Sequence, residues 1–210
     1  MNIQFMKAAV LSIYEKITEN KEYLIQLDQQ NGDGDLGLSM QSGFQSLCDF
    51  FCSTDEEDLG RIFMLASRNF NEAAPSSLGT ILSIGMMGIA KKLKGKSEFT
   101  LEEMTDALQA GTDNIMDKAH SKPGEKTILD ALIPAVECMR QYTDEELKEA
   151  CAAAAAAAAQ GSERTKEMKS VHGRAAYYAD QSIGVLDGGS VVGKLIFEGI
   201  ADAAGDEYDR

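Results

Sequence analysis

Apolar residues recur along this chain at helical spacing. Leu59, Ile62, Phe63, Ala66 and Phe70 share one helical stripe, as do Phe44, Leu47, Cys48 and Phe51, and again Ile128, Leu132, Ala135, Val136 and Met139. Strand-like alternation is scarce, and proline occurs only at positions 75, 123 and 134. The pattern predicts about eight helices, over 2–29, 38–52, 56–70, 77–94, 101–118, 126–141, 144–170 and 189–203. Three capping boxes, Thr54 to Glu57, Thr100 to Glu103 and Thr143 to Glu146, supply start signals that satisfy orphan N–H groups. The run Ala152 to Ala159 is a strong helix former with little bulk, so its helix should lie close against its neighbours. Short connections make sequential helices antiparallel. With no linker and no shift in composition, residues 1–210 read as one all-α domain, an up-and-down bundle. The acidic tail from Asp202 to Arg210 should fray.

Charge narrows the range of partners. The 210 residues carry 20 Lys and Arg against 34 Asp and Glu, a net charge of -14. Nucleic acid as main partner is excluded, because phosphate backbones require basic stripes. An acidic chain still binds a nucleotide where a metal ion or backbone N–H groups supply positive charge. A hydrophobic fraction of 44% and a charged fraction of 26% are those of a folded globular chain. No stretch approaches the ~18 apolar residues of a membrane span, and the N-terminus meets charge too early for a signal peptide. Cys48, Cys52, Cys138 and Cys151 form no C-x-x-C pair, so they read as reduced, buried thiols of a cytoplasmic protein. With only His120 and His172, a His-rich zinc site is excluded.

The loops hold the unusual residues. Between Leu27 and Gly37 lie Asp28, Asp33 and Asp35, interleaved with Gly32, Gly34 and Gly37. Carboxylates this close repel, and one at a helix C-terminus is poorly placed for the dipole. A hard divalent cation such as Mg²⁺ resolves both problems; the bland reading is a solvated acidic turn. The segment matches G-x-G-x-x-G, but a helix precedes it where a dinucleotide fold needs a strand. It begins like an EF-hand at Asn31, yet Leu36 and Ser42 stand where Gly and Glu are required. A phosphate-binding loop ending at Gly95-Lys96-Ser97 fails because Ala90 replaces its first glycine.

Three further junctions each open a helix. Ser76 and Ser77 follow Pro75, as plain N-caps or as an anion site. Lys122 to Thr127 precedes the sixth predicted helix. Arg174, a phosphate fork or a plain surface arginine, and Asp187-Gly188-Gly189-Ser190 precede the last. In an up-and-down bundle the loops before helices 2, 4, 6 and 8 share one end, so these four junctions meet at one rim and together make a metal–nucleotide site.

These motifs in order, Asp28-x4-Asp33-Gly-Asp35-x-Gly37, Lys122-Pro-Gly-Glu-Lys-Thr-Ile-Leu-Asp130, Gly173-Arg-Ala-Ala-Tyr177, Ser182-Ile-Gly184 and Asp187-Gly-Gly189, resemble the nucleotide-binding L subunit of dihydroxyacetone kinase over nearly the whole chain. The resemblance implies an eight-helix up-and-down antiparallel barrel. It implies that Asp28, Asp33 and Asp35 hold two Mg²⁺ ions on the phosphates of ADP or ATP, and that Leu36, Gly37, Leu38 and Ser39 follow those phosphates into a helix. Ser76 and Ser77 would contact phosphate, Ala119 and Ile128 would line the adenine, and Arg174 with Asp187, Gly188 and Gly189 would close the site. Four places depart from the family pattern: Leu36 stands for His, Gly188 for Pro, Val185 for a His two residues before Asp187, and Ser-Ser-Leu-Gly for Ser-Gly-Pro.

The implied activity is phosphoryl transfer with Arg174 as the catalytic cation, to a small ketose such as dihydroxyacetone held by a partner K subunit. The phosphoryl donor is either exchanging ATP or a phosphotransferase-system protein that recharges a resident ADP. A homodimer is compatible with the sequence. Two other classes fit the same residues, a nucleotide-sensing module without turnover and a helical interaction protein with a solvated acidic loop.

Overall fold

The structure is a computed structural model and describes residues 1–30 and 32–208. Asn31, where the EF-hand comparison begins, and Asp209 and Arg210 of the expected frayed tail lie outside the described residues. The helices are α1 (Ile3–Glu19), α2 (Lys21–Asp28), α3 (Leu36–Ser53), α4 (Leu59–Ala73), α5 (Ser77–Lys92), α6 (Leu101–Ala119), α7 (Leu129–Met139), α8 (Leu147–Arg164) and α9 (Gly188–Tyr208). Short 3-10 segments cover Asp144–Glu146, Thr165–Glu167 and Arg174–Ser182. Among the described residues the only β pairing is one isolated bridge, Asn2 with Glu98, and no helix is long and apolar enough to cross a membrane.

The long helices close into a ring. From α3 through α9 each packs on the next, α1 packs on α3, and α9 returns to α1. The short α2 lies against α3 and α9. Contacts between loops establish the alternation. At one end Met1 N donates to Phe99 O, Leu59 N to Lys96 O and Gly95 N to Asp58. The loops opening α3, α5, α7 and α9 gather at the other. The expected barrel is therefore the observed one, and its apolar stripes face inward: Leu59, Ile62, Ala66 and Phe70 have no exposed surface. The interior holds an apolar cavity of about 160 Å³, lined by Val10, Phe44, Met86, Leu108 and Val136 among others.

Several boundaries differ from the sequence expectation. The first predicted helix breaks at Asn20, whose side chain donates to Lys16 O at 2.8 Å and so competes with the backbone ladder. That break aims α2 independently of α1. The Thr54 capping box does not form. Instead Asp58 caps α4 by accepting from Gly60 N and Arg61 N, and Gly95 N binds the same carboxylate, so the helix starts at Leu59. The Thr100 and Thr143 boxes form as expected. The helix predicted over 126–141 begins only at Leu129, and the helix after Thr143 ends in its 3-10 turn at Glu167. The last helix runs on to Tyr208 instead of fraying from Asp202. Cys151 is buried and Cys48 and Cys138 are half-buried, but Cys52, in the last turn of α3, is exposed, against the expectation for that thiol.

The alanine run does what its lack of bulk allows. On α8, Ala150, Ala154 and Ala158 are fully buried between α7 and α9. The approach is closest at Gly161, where a Cβ would sit 2.1 Å from Asp130 O. Pro134, inside α7, has no N–H to offer that carbonyl four residues back. A larger side chain here has nowhere to go. Ala154→Leu should destabilise the protein by about 1–3 kcal/mol, lowering Tm by several degrees in calorimetry; an unchanged Tm would contradict this packing.

Candidate functional site

The site is built from the end of α2 outward. Asp28 is the last residue of α2, and its Oδ2 accepts from Gly34 N at 2.8 Å and Leu36 N at 3.4 Å. These bonds fold the following loop back over the helix end. Two glycines make the fold feasible. A Cβ at Gly32 would lie 2.1 Å from Asp28 Oδ1, and Gly34 has φ +80. The result brings carboxylate oxygens of Asp28, Asp33 and Asp35 within 4.8 Å of one another. Among the described residues this is the one group of three or more acidic, His or Cys side chains placed to share a metal ion. Its donor set is all oxygen, which suits a hard divalent cation. Burial, followed by the charges of Asp33 and Asp28, pushes the Asp35 carboxyl above its ordinary pKa.

The other three junctions meet this one. Leu36 and Gly37 are buried in the first turn of α3, and Leu38 points outward. Ser39 Oγ lies 3.0 Å from Ser76 Oγ, which joins the first and second junctions. Ser76 caps α5 by accepting from Gly79 N at 3.1 Å, and Ser77 is the first helical residue. Arg174 Nη1 reaches Asp33 Oδ2 at 2.5 Å, which joins the fourth junction to the acidic loop. Ala119, half-buried, ends α6 and leads into the third junction through His120, whose backbone is left-handed at φ 51. Ile128 is buried, and Gly189 packs against its backbone.

Asp187 serves the start of α9. Its carboxylate accepts from Ser190 N at 2.6 Å, and its own N–H donates to Thr165 Oγ1. Burial pushes its pKa up to about 7, against the opposing pull of the Ser190 N–H and the Lys126 charge. At Gly188 an added Cβ would sit 2.6 Å from Leu36 Cδ2. The departures at 36 and 188 therefore belong together, because leucine at 36 occupies the room that a ring at 188 would need.

Some functional geometry was not anticipated from the sequence. Lys126 is buried, and its Nζ donates to four main-chain carbonyls of the fourth junction. His172 pairs with Glu125 at 2.6 Å, which ties the third junction to the fourth. Asp130 accepts from Gly124 N and Thr127 N and shapes the turn before α7. The left-handed backbone of Lys126 at φ 61 has no signature in residue type or spacing.

Comparison with known proteins bears on this arrangement. The family model described as the DAK2 domain matches residues 30–202. The chain belongs to the DAK2 domain family. Within it, the chain is of the DhaL type. It is 30% identical over 185 residues to a protein of Listeria innocua named PEP-dependent dihydroxyacetone kinase 1, ADP-binding subunit DhaL, with 87% of each chain covered. It is 29% identical to the corresponding ADP-binding subunit of Escherichia coli K12, covering 87% of this chain and 88% of that one. The fold matches the dihydroxyacetone kinase of C. freundii solved with AMP-PNP and Mg²⁺ at a TM-score of 0.74 and 21% identity, over 93% of this chain and 33% of that one. The matched DAK2 span takes in Asp33, Asp35, Arg174 and Asp187, and α2 brings Asp28 to it from just outside.

The raised pKa of Asp187 has a definite sign. Between the ordinary carboxylate value and about 7 the folded state keeps a proton that the unfolded state has lost, so the contribution of Asp187 to stability is full at low pH and falls as pH rises through 7. Asp187→Asn keeps a capping acceptor and removes the titration. Its stability relative to the unaltered chain should therefore increase from pH 5 to pH 8 in denaturant titrations. A constant difference across that range would refute the assignment.

Proposed function

We propose that this chain, as one nucleotide-binding domain over 1–210, carries ADP or ATP for phosphoryl transfer of the dihydroxyacetone-kinase type in the cytoplasm. The observation that carries the reading is the convergence of three carboxylates with three helix starts and Arg174 at one rim. Asp28, Asp33 and Asp35 hold two Mg²⁺ ions. Bound there, Mg²⁺ neutralises the phosphates and polarises the transferred group. The first turn of α3, Leu36 to Ser39, offers the N–H groups of Gly37 and Leu38 to the phosphates, those of Leu36 and Ser39 being held by Asp28 and Asp35. The Ser76–Ser77 start of α5 joins it, where the helix dipoles favour negative charge. Arg174 exchanges its Asp33 partner for the transferred phosphoryl group and stabilises its developing charge. Ala119 and Ile128 flank the base, and Asp187 to Gly189 close the far side.

Among the described residues the cluster has no built acceptor pocket beside it, which supports a small ketose such as dihydroxyacetone being held by a partner K-type subunit. Leu38, Val171, Tyr177 and Ile183 are exposed near the rim, Tyr177 at 90%, and offer apolar surface for that partner to cover. The relatives matched over nearly their full length are named as PEP-dependent subunits, which favours a phosphotransferase-system protein over free ATP as the donor.

Thermal shift with Mg²⁺ and ADP tests the reading. A nucleotide at 100 times its Kd should stabilise the chain by about 2.7 kcal/mol. Asp33→Asn should abolish the Mg²⁺-dependent part of the shift. With a K-type partner, dihydroxyacetone and a phosphoryl donor, either ATP or a phosphorylated phosphotransferase-system protein, phosphorylated ketose should form only when this chain is present. No shift in the unaltered chain would sink the proposal, and a shift without transfer would leave a nucleotide sensor.

A further inference from the structure

The excursion from α8 to α9, residues 165–187, brings Arg174 to the acidic cluster, yet much of it is exposed. Its ends are drawn together at one point. Lys126 Nζ donates to Thr165 O at 2.8 Å and Met168 O at 3.3 Å where the excursion leaves α8, and to Ser182 O and Val185 O at 2.6 Å where it returns to α9. An ammonium has three N–H donors, so four carbonyls around it satisfy it completely, one bond being shared. Lys126 is buried, with a relative exposure of 5%, and its backbone is held left-handed at φ 61 to aim the side chain inward. Its direct contacts are carbonyl dipoles, and the Asp187 carboxylate acts on its charge from beyond them. Lesser ties run the same way: Gly184 N donates to Lys166 O at 2.7 Å and Ser170 N to Ser182 Oγ at 3.0 Å.

We propose that Lys126 is a positioning residue, an internal cation that clasps both ends of the 165–187 excursion and thereby holds Arg174 and the start of α9 over the carboxylate cluster. The lysine touches neither the acidic cluster nor Arg174 and acts through the main chain of the excursion. That excursion contains no long helix to stabilise it, only the 3-10 segments Thr165–Glu167 and Arg174–Ser182, and the clasped carbonyls lie in or just after them. Removing the cation leaves four converging carbonyl dipoles that repel one another across the gap it filled, although Thr165 O keeps its Met168 N donor. The nucleotide consequence rests on the function proposed above, whereas the clasp itself does not.

Lys126→Gly tests it, because glycine accepts the left-handed backbone while the side chain, stem and ammonium together, is lost. Hydrogen exchange without nucleotide should show residues 166–186 at least tenfold less protected, with α3 to α6 unchanged, and chymotrypsin should cut faster after Tyr177. Ammonium chloride, but not sodium chloride at equal ionic strength, should restore part of the protection, an effect that general destabilisation would not give. Mg²⁺–ADP should bind about tenfold more weakly. Unchanged exchange in 166–186 would overturn the clasp, and loosened exchange with undiminished affinity would overturn its positioning role. If the unaltered chain binds no Mg²⁺–ADP while the exchange result holds, only the nucleotide reading fails. Should Lys126→Gly not fold, NMR of the unaltered chain decides: the Lys126 ammonium resonance should be protected from solvent, and exchange as fast as that of surface lysines would refute the proposal.

Discussion

Three carboxylates whose oxygens lie within 4.8 Å of one another repel, and the architecture of this rim follows from holding them there. Asp28 is fixed by two main-chain N–H groups, Asp33 by Arg174, and Asp35 by its place at the start of α3. Each restraint comes from a different part of the chain. The break at Asn20 lets α2 deliver Asp28 at its own angle, the glycines permit the return of the loop, and the excursion after α8 supplies the arginine. A closed ring of helices is what lets four sequence-distant junctions reach one another without a long linker.

Much of this was legible in the sequence, because the signals were local. Helical stripes such as Leu59 to Phe70 report burial directly. Alternation of short connections fixes which loops share an end, so the meeting of Asp33, Ser76, Lys122 to Thr127 and Arg174 followed from counting helices. The boundaries were harder. A side chain that competes with its own backbone, as Asn20 does, looks like an ordinary polar helical residue, and Asp58 won over Thr54 through a contact with Gly95, distant in sequence. Lys126 was invisible for the same reason. A lysine beside a turn reads as solvated, and only the return of the 165–187 excursion places carbonyls around it.

The departures from the family pattern become a structural relation once the first turn of α3 is seen against the first turn of α9. Leu36 and Gly188 are contacting positions, so a side chain restored at 188 would meet the end of Leu36 unless the leucine moved. The pairing leaves the three carboxylates and Arg174 in place. It puts a buried apolar side chain beside Asp35 where the family pattern has a polar ring.

The exposed Tyr177 has a practical side. The chain has no tryptophan, so its intrinsic emission comes from 6 tyrosines alone. A single indole introduced at 177 would shine by itself from the lip of the barrel, without a buried neighbour to quench or obscure it. Excited at wavelengths beyond the tyrosine band, such an indole would report arrival of the proposed partner without any competing signal from this chain.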